Sequence, residues 1–201
     1  RYVLDADISG LFDNLSHAAI MRELSDAVAD GNILRLVEKF LRAGVMEGGK
    51  IRPTRVGTPQ GGVASPLLAN IALNVLDWHL HELGFHFVRY ADDFVVLCCS
   101  EEQARQAMEK IGEFAKANGL RLHPEKTRLV PFHRPRGGQT PPRNGRPGTF
   151  DFLGFTHYWG RSRRGYWVIK QKTASSRFTR AVQAISQWCQ RNRHLPIAEQ
   201  H

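Results

Sequence analysis

The sequence predicts an α+β fold, a mostly antiparallel sheet packed on helices. Three observations carry this. Strand and helix periodicities both occur, without a strict alternation of the two element types. Two short apolar runs, 85–90 and 94–99, flank Ala91-Asp92-Asp93 and read as a hairpin. Capping signals punctuate the helical stretches. With 201 residues, 42% of them hydrophobic, the chain makes one ordinary domain, or one domain with a short appendage, and buries a real core.

Residues 1–7 read as a strand that ends in acids. Ser16 is placed to cap a helix running to about residue 29, with Ile20, Leu24 and Val28 on one face. A second helix is expected over 33–42. Segments 45–46 and 51–56 pair as a hairpin, followed by a Gly/Pro loop over 57–62. Ser65-Pro66 reads as a cap with proline at the first helical position. The helix it opens carries Leu68, Ile71, Ala72, Val75 and Leu76. Ser100 and Gln103 form a capping box for a helix to residue 118, ended by Gly119. Strands are expected at 120–122 and 128–132. The stretch 133–148 is a Pro/Gly/Arg-rich loop. Segments 150–158 and 166–169 form a hairpin, and 175–193 returns to helical spacing through Phe178, Val182, Ile185 and Trp188.

Charge is unevenly placed. Net charge is +9 overall, yet residues 1–133 hold 15 Lys/Arg against 17 Asp/Glu. Residues 134–201 hold 13 Lys/Arg and only Asp151 and Glu199. A basic section on a near-neutral body points to a polyanionic partner, the alternative being a solubilising face. Tyr158, Trp159, Tyr166 and Trp167 lie among the basic residues, and rings of this kind stack on bases. No apolar run is long enough to span a bilayer, so no membrane partner is expected. Cys98, Cys99 and Cys189 make no disulfide framework and no zinc spacing, which predicts a reducing compartment, the cytoplasm. The chain has no initiating Met and no leader, and it enters a strand at once, so a longer native polypeptide is expected.

Two acidic pairs stand out. Asp92-Asp93 lies at the tip of an apolar hairpin, where adjacent carboxylates repel each other and a divalent cation relieves them. Alone it reads as an ordinary turn. Asp5 and Asp7 end a strand with their side chains on one face, which alone is an ordinary solvent-facing terminus. Together the two places suit a pair of Mg²⁺ ions, roughly 3.5–4 Å apart, as in-line phosphoryl transfer uses. Mg²⁺ favours few carboxylates plus substrate phosphates.

Tyr90-Ala91-Asp92-Asp93 resembles the Tyr-Ala-Asp-Asp box of group II intron-type bacterial reverse transcriptases. The stretch from Asp7 through Phe12 to His17 resembles their first acidic motif. Gly57-Thr58-Pro59-Gln60-Gly61-Gly62 with Ser65-Pro66 resembles their Pro-Gln-Gly motif. Gly119-Leu120 with His123-Pro124-Glu125-Lys126-Thr127, and Phe150-Asp151-Phe152-Leu153-Gly154-Phe155, resemble two further blocks, the last being the primer grip. The five blocks run in family order over roughly residues 3–173. CRISPR-associated reverse transcriptases share these features.

The resemblance implies a polymerase palm over 1–173 and the start of a helical thumb over 174–201. It implies RNA-directed DNA synthesis with two Mg²⁺ (Mn²⁺ as a substitute), an RNA template, a DNA or RNA primer and dNTPs, the template being structured intron RNA. Asp7, Asp92 and Asp93 would hold metal, assisted by the Ile8 carbonyl, with Asp5 a supporting acid. Phe12 would sit under the incoming sugar and exclude a 2′-hydroxyl; its other reading is a core aromatic. Gln60 would contact the nucleotide, and Gly61 and Gly62 would let backbone approach it, or form a plain loop. Ala91 would be small to admit the primer end. Lys126 would protonate pyrophosphate or clamp charge, or else be merely solvated. Phe152, Leu153, Gly154 and Phe155 would hold the primer, their other reading being a buried strand with a glycine bulge. The family's fingers region before the first acidic motif has no counterpart in this sequence, and the thumb is cut short. An RNA-binding maturase or ribonucleoprotein scaffold, inactive as a polymerase in this portion, is the alternative function. An RNA-templated RNA polymerase shares the palm chemistry, and Phe12 argues against it.

Overall fold

The computed structural model describes residues 1–47, 50–52, 56–58, 62–135 and 148–194, with 45–47 and 50–52 as backbone. Its elements in order are β1 (Tyr2–Ser9), α1 (Leu11–Asn14), α2 (His17–Ala27), α3 (Gly31–Arg42), β2 (Val45–Glu47), β3 (Lys50–Arg52), α4 (Ser65–Glu82), β4 (His86–Tyr90), β5 (Asp93–Cys98), α5 (Glu101–Ala117), β6 (Arg121–Leu122), β7 (Arg128–Pro131), β8 (Phe150–Phe152), β9 (Phe155–Arg161), β10 (Trp167–Thr173) and α6 (Ser175–Asn192). The fold is the expected α+β arrangement, and all described strand pairs are antiparallel. Contacts divide the chain into two compact units, Arg1–Phe132 and His133–His201. Among the described residues no helix is long and apolar enough to cross a membrane.

In the first unit β1 is central. β5 pairs along one edge and carries β4 outside it, while β7 and then β6 pair along the other edge. The period of two in β1 sends Leu4, Ala6 and Ile8 into one core with Phe94 and Val96 of β5, Leu73 and Leu76 of α4, and Ala104 and Ile111 of α5. Asp5 and Asp7 therefore face the other way. Burying one apolar face fixes the register, because a one-residue slip would drive the acids into the core.

Local signals account for most boundaries. Ser16 caps α2 by accepting from the Ala19 amide, and Asp30 caps α3 through the Asn32 amide. Ser100 accepts from the Gln103 amide at the head of α5, while Gln103 accepts from the Cys99 amide. Two expectations need correction. Ser65 does not cap α4: the cap is Ala64, without a side-chain bond, and Ser65 lies buried inside the first turn ahead of Pro66. Nor is 150–158 one strand. It breaks into β8 and β9 at Leu153-Gly154, both with positive φ (52° and 79°), the signature of a two-residue type I′ hairpin.

In the second unit β8, β9 and β10 form a three-stranded sheet, and α6 follows it. None of the residues of α6 is buried; Phe178, Val182, Ile185 and Trp188 are all exposed.

Candidate active site

The register of β1 with β5 builds the site. Asp7 stands directly opposite Asp93, so their side chains share one sheet face. Asp93 is also paired with Tyr90, which makes it the first residue of β5 rather than part of the turn. The turn is Ala91-Asp92 alone. Ala91 has φ of 54° and no positive φ is found at Asp92, the pattern of a type II′ turn, whose first position favours glycine. Asp92 and Asp93 are half-buried at this tip.

Lys126 stands among these acids. Its Nζ donates to Asp7 Oδ2 at 2.9 Å. That bond and the Asp7 charge, with smaller contributions from Asp92 and Asp93, hold the Lys126 ammonium above the ordinary lysine pKa. The turn carrying Lys126 is itself tied to β1, since the His123 amide donates to the Asp7 carbonyl at 2.8 Å and the Thr127 amide to the His123 carbonyl at 2.9 Å. Asp5 is engaged separately, accepting from Arg128 Nε at 2.9 Å on the neighbouring strand.

These oxygens are the hard donor set that Mg²⁺ or Mn²⁺ takes, and a cation, the Lys126 ammonium, already sits against them. Among the described residues no three His, Cys, Asp or Glu side chains converge closely enough to chelate an ion by themselves. Ile8 lies between Asp7 and Ser9 with its side chain in the core, and it pairs with Leu122 of β6.

Phe12 lies in α1, half-buried against the core, so it belongs partly to the packing. Its carbonyl accepts from the Thr58 amide at 2.7 Å, and the Leu15 carbonyl from the Gly57 amide at 2.8 Å. His17 Nε2 lies 2.6 Å from the Gly57 carbonyl. A Cβ at Gly57 would come within 2.6 Å of the Phe12 carbonyl oxygen and 2.7 Å of that of Asp13, at a φ of 83°. Backbone therefore clips the start of the Pro-Gln-Gly segment onto the Phe12 turn. Gln60 and Gly61 themselves lie outside the described residues.

The remaining candidates belong to the second unit. Leu153 and Gly154 form the β8–β9 turn, flanked by the paired Phe152 and Phe155. The Gly154 carbonyl accepts from the Ala174 amide at 3.0 Å, which joins this turn to the head of α6. A Cβ at Gly154 would strike the Arg177 side chain. Leu153 and Phe155 are exposed, and Phe152 is buried.

Sequence reasoning missed two features. One is the Gly57–His17 clip, which only the fold brings together. The other is Arg89, whose guanidinium joins Asp77, Asn70 and the Ala91 carbonyl. An arginine in an apolar strand beside the acidic turn was the available signal.

Comparisons with known proteins bear on the family and the fold. The reverse transcriptase (RNA-dependent DNA polymerase) family matches residues 1–157. The group II intron-encoded protein LtrA of Lactococcus lactis subsp. cremoris is 32% identical over 136 residues, 65% of this chain and 23% of LtrA. Protein YkfC of Escherichia coli (strain K12) is 29% identical over 164 residues, 64% of this chain and 43% of YkfC. The chain thus spans about a quarter of the length of LtrA. The fold is similar to that of apo telomerase from Candida tropicalis, with a TM-score of 0.63 at 13% identity over 88% of this chain and 32% of that one. The intron-encoded relatives bear out the resemblance to the group II intron type. The chain belongs to the reverse transcriptase (RNA-dependent DNA polymerase) family.

Proposed function

We propose that this chain is the catalytic core of a group II intron-type RNA-directed DNA polymerase, which joins a dNTP to a primer 3′-hydroxyl on an RNA template. The observation that carries the reading is the register setting Asp7 opposite Asp93, beside Asp92, with Lys126 among them. Residues 1–173 act as the palm and 174–201 begin the thumb.

Asp7, Asp92 and Asp93, with the Ile8 carbonyl, would hold Mg²⁺ or Mn²⁺. When bound, such metal supplies charge neutralisation at the phosphates and a lowered pKa at the primer hydroxyl. The chain's own groups do the rest. The Lys126 ammonium stays protonated at neutral pH and holds a proton for the departing pyrophosphate, at the edge of the site rather than in its core. Phe12, gripped through its carbonyl by Thr58, bars a 2′-hydroxyl at the nucleotide sugar. Gln60 and Gly61 contact the nucleotide, and the small Ala91 admits the primer terminus. Phe152, Leu153, Gly154 and Phe155 hold the primer strand. The partners are RNA template, structured intron RNA foremost, a DNA or RNA primer and dNTPs, with the three free cysteines suiting the cytoplasm.

Phe12→Ala tests this. Native protein given an RNA template and primer should incorporate dNTPs and reject rNTPs, and the variant should accept rNTPs markedly better. Equal use of both sugars by the wild type would contradict the reading.

A second reading is supported by the β9–β10 ribbon. Arg161 stacks over Trp167 at 4.3 Å, and Lys172 lies 5.7 Å from the Tyr158 ring centre. Cation–aromatic pairs of this kind suit RNA, as an intron-folding maturase or ribonucleoprotein scaffold uses. An RNA affinity unchanged in Trp167→Ala and Tyr158→Ala would remove it.

A further inference from the structure

Arg89 makes more side-chain hydrogen bonds than a simple ion pair requires. Nε donates to Asp77 Oδ1 at 2.7 Å and Nη2 to Asp77 Oδ2 at 2.5 Å. Nη1 turns the other way, to Asn70 Oδ1 at 2.9 Å and the Ala91 carbonyl at 3.0 Å. Asp77 and Asn70 both lie on α4, about two turns apart and so on one side of that helix. The Arg89 side chain is only 10% exposed, so the guanidinium itself is sheltered, while Asp77 is half-buried and Asn70 is exposed. Ala91 is held at a φ of 54°, a left-handed conformation that a residue with a Cβ adopts only where its surroundings over-determine it. Its carbonyl is where that constraint enters, and the next two residues are Asp92 and Asp93.

We propose that Arg89 is the positioning residue of the catalytic turn: by tying the Ala91 carbonyl to Asp77 and Asn70 of α4, it fixes where Asp92 and Asp93 point. A plain buried ion pair is replaceable and needs no fourth donor bond. The guanidinium is needed because its rigid fork serves two acceptors on one side and two on the other, which an ammonium cannot copy. The inference rests on the reading of Asp92 and Asp93 as metal ligands.

The test is Mn²⁺ titration of the native protein, followed by the spectroscopic signal of free Mn²⁺, with single-nucleotide incorporation alongside. Three variants are compared. Arg89→Lys keeps the charge beside Asp77 and loses the fork; Mn²⁺ should bind about tenfold more weakly and kcat should fall with KM for dNTP unchanged. Asn70→Ala removes one bond at an exposed helix position; melting temperature should hold or rise, alanine being the stronger helix former, while Mn²⁺ binding weakens. That opposition of stability and affinity is something a purely structural role does not produce. Asp92→Asn reports on the underlying reading. If it binds Mn²⁺ as the wild type does, the metal reading fails and the inference with it. If it loses Mn²⁺ while Arg89→Lys and Asn70→Ala bind normally, the inference alone is overturned. Should Arg89→Lys not fold, Asn70→Ala decides.

Discussion

Lys126 and Asp7 form an ion pair at the surface, with the lysine side chain 61% exposed. Such pairs contribute at most about 1 kcal/mol, so an incoming divalent cation can displace the ammonium at little cost. Because Lys126 is held above the ordinary value of 10.5, its stabilising share is complete below that pH and is lost only as pH rises through the higher folded value. Lys126→Met should therefore lower stability slightly and evenly between pH 7 and 10, with the difference from wild type vanishing at higher pH, as thermal melts would read. The same variant should slow the chemical step by about a hundredfold, the usual share of general acid catalysis. A rate unchanged in single-turnover incorporation would leave Lys126 as a charge clamp. Cysteine chemistry gives a second residue-level prediction. Burial, and then the neighbouring Cys99, push the Cys98 thiol up to about 11, while Cys99 and Cys189 are exposed. Mass spectrometry after brief alkylation at pH 7 should find Cys99 and Cys189 modified and Cys98 intact. The two acidic pairs were legible in the sequence as places at a strand end and a hairpin tip, and the register then set Asp7 opposite Asp93. Arg89 was not, since its role depends on the α4 side chains that the fold sets beside it.

At the level of elements, the β8–β9 turn holds the sharpest departure from sequence expectation. Phe150, Phe152 and Phe155 continue an apolar pattern that reads as one strand, and Leu-Gly lacks the Asn-Gly signature of a I′ turn. Leu153 nonetheless sits at a φ of 52°. A left-handed residue with a branched side chain costs roughly 1–2 kcal/mol. Leu153→Asn should accordingly raise the melting temperature and, if the tip holds primer, weaken primer affinity. A melting temperature that falls would contradict the strained-turn account. Gly57 is the second such place. Gly57→Ala should break the backbone clip to Phe12 and Leu15, lowering the melting temperature and raising KM for dNTP. Helix boundaries were mostly readable from their caps, at Ser16 and Ser100 above all. Ser65 misled because a serine before proline fits a cap and a buried first turn equally well.

For the whole molecule, the division of charge follows the division into units. The +11 of residues 134–201 lies in the second compact unit, and the acids of the site lie in the first. RNA affinity should fall steeply with salt, by a slope set by the phosphates neutralised, and a flat dependence between low and physiological salt would remove the basic segment from the interface. The α+β class and the central acidic strand were legible because β1 must bury Leu4, Ala6 and Ile8 on one side only. The neighbours of that strand were not, since strand order is set by long-range pairing that local pattern does not encode. The most direct test of the account is primer extension by the native protein on an RNA template in Mg²⁺, wild type against Asp93→Asn. The account predicts extension by the wild type and its loss in the variant, with RNA affinity and melting temperature retained. Extension that persists in Asp93→Asn would contradict it.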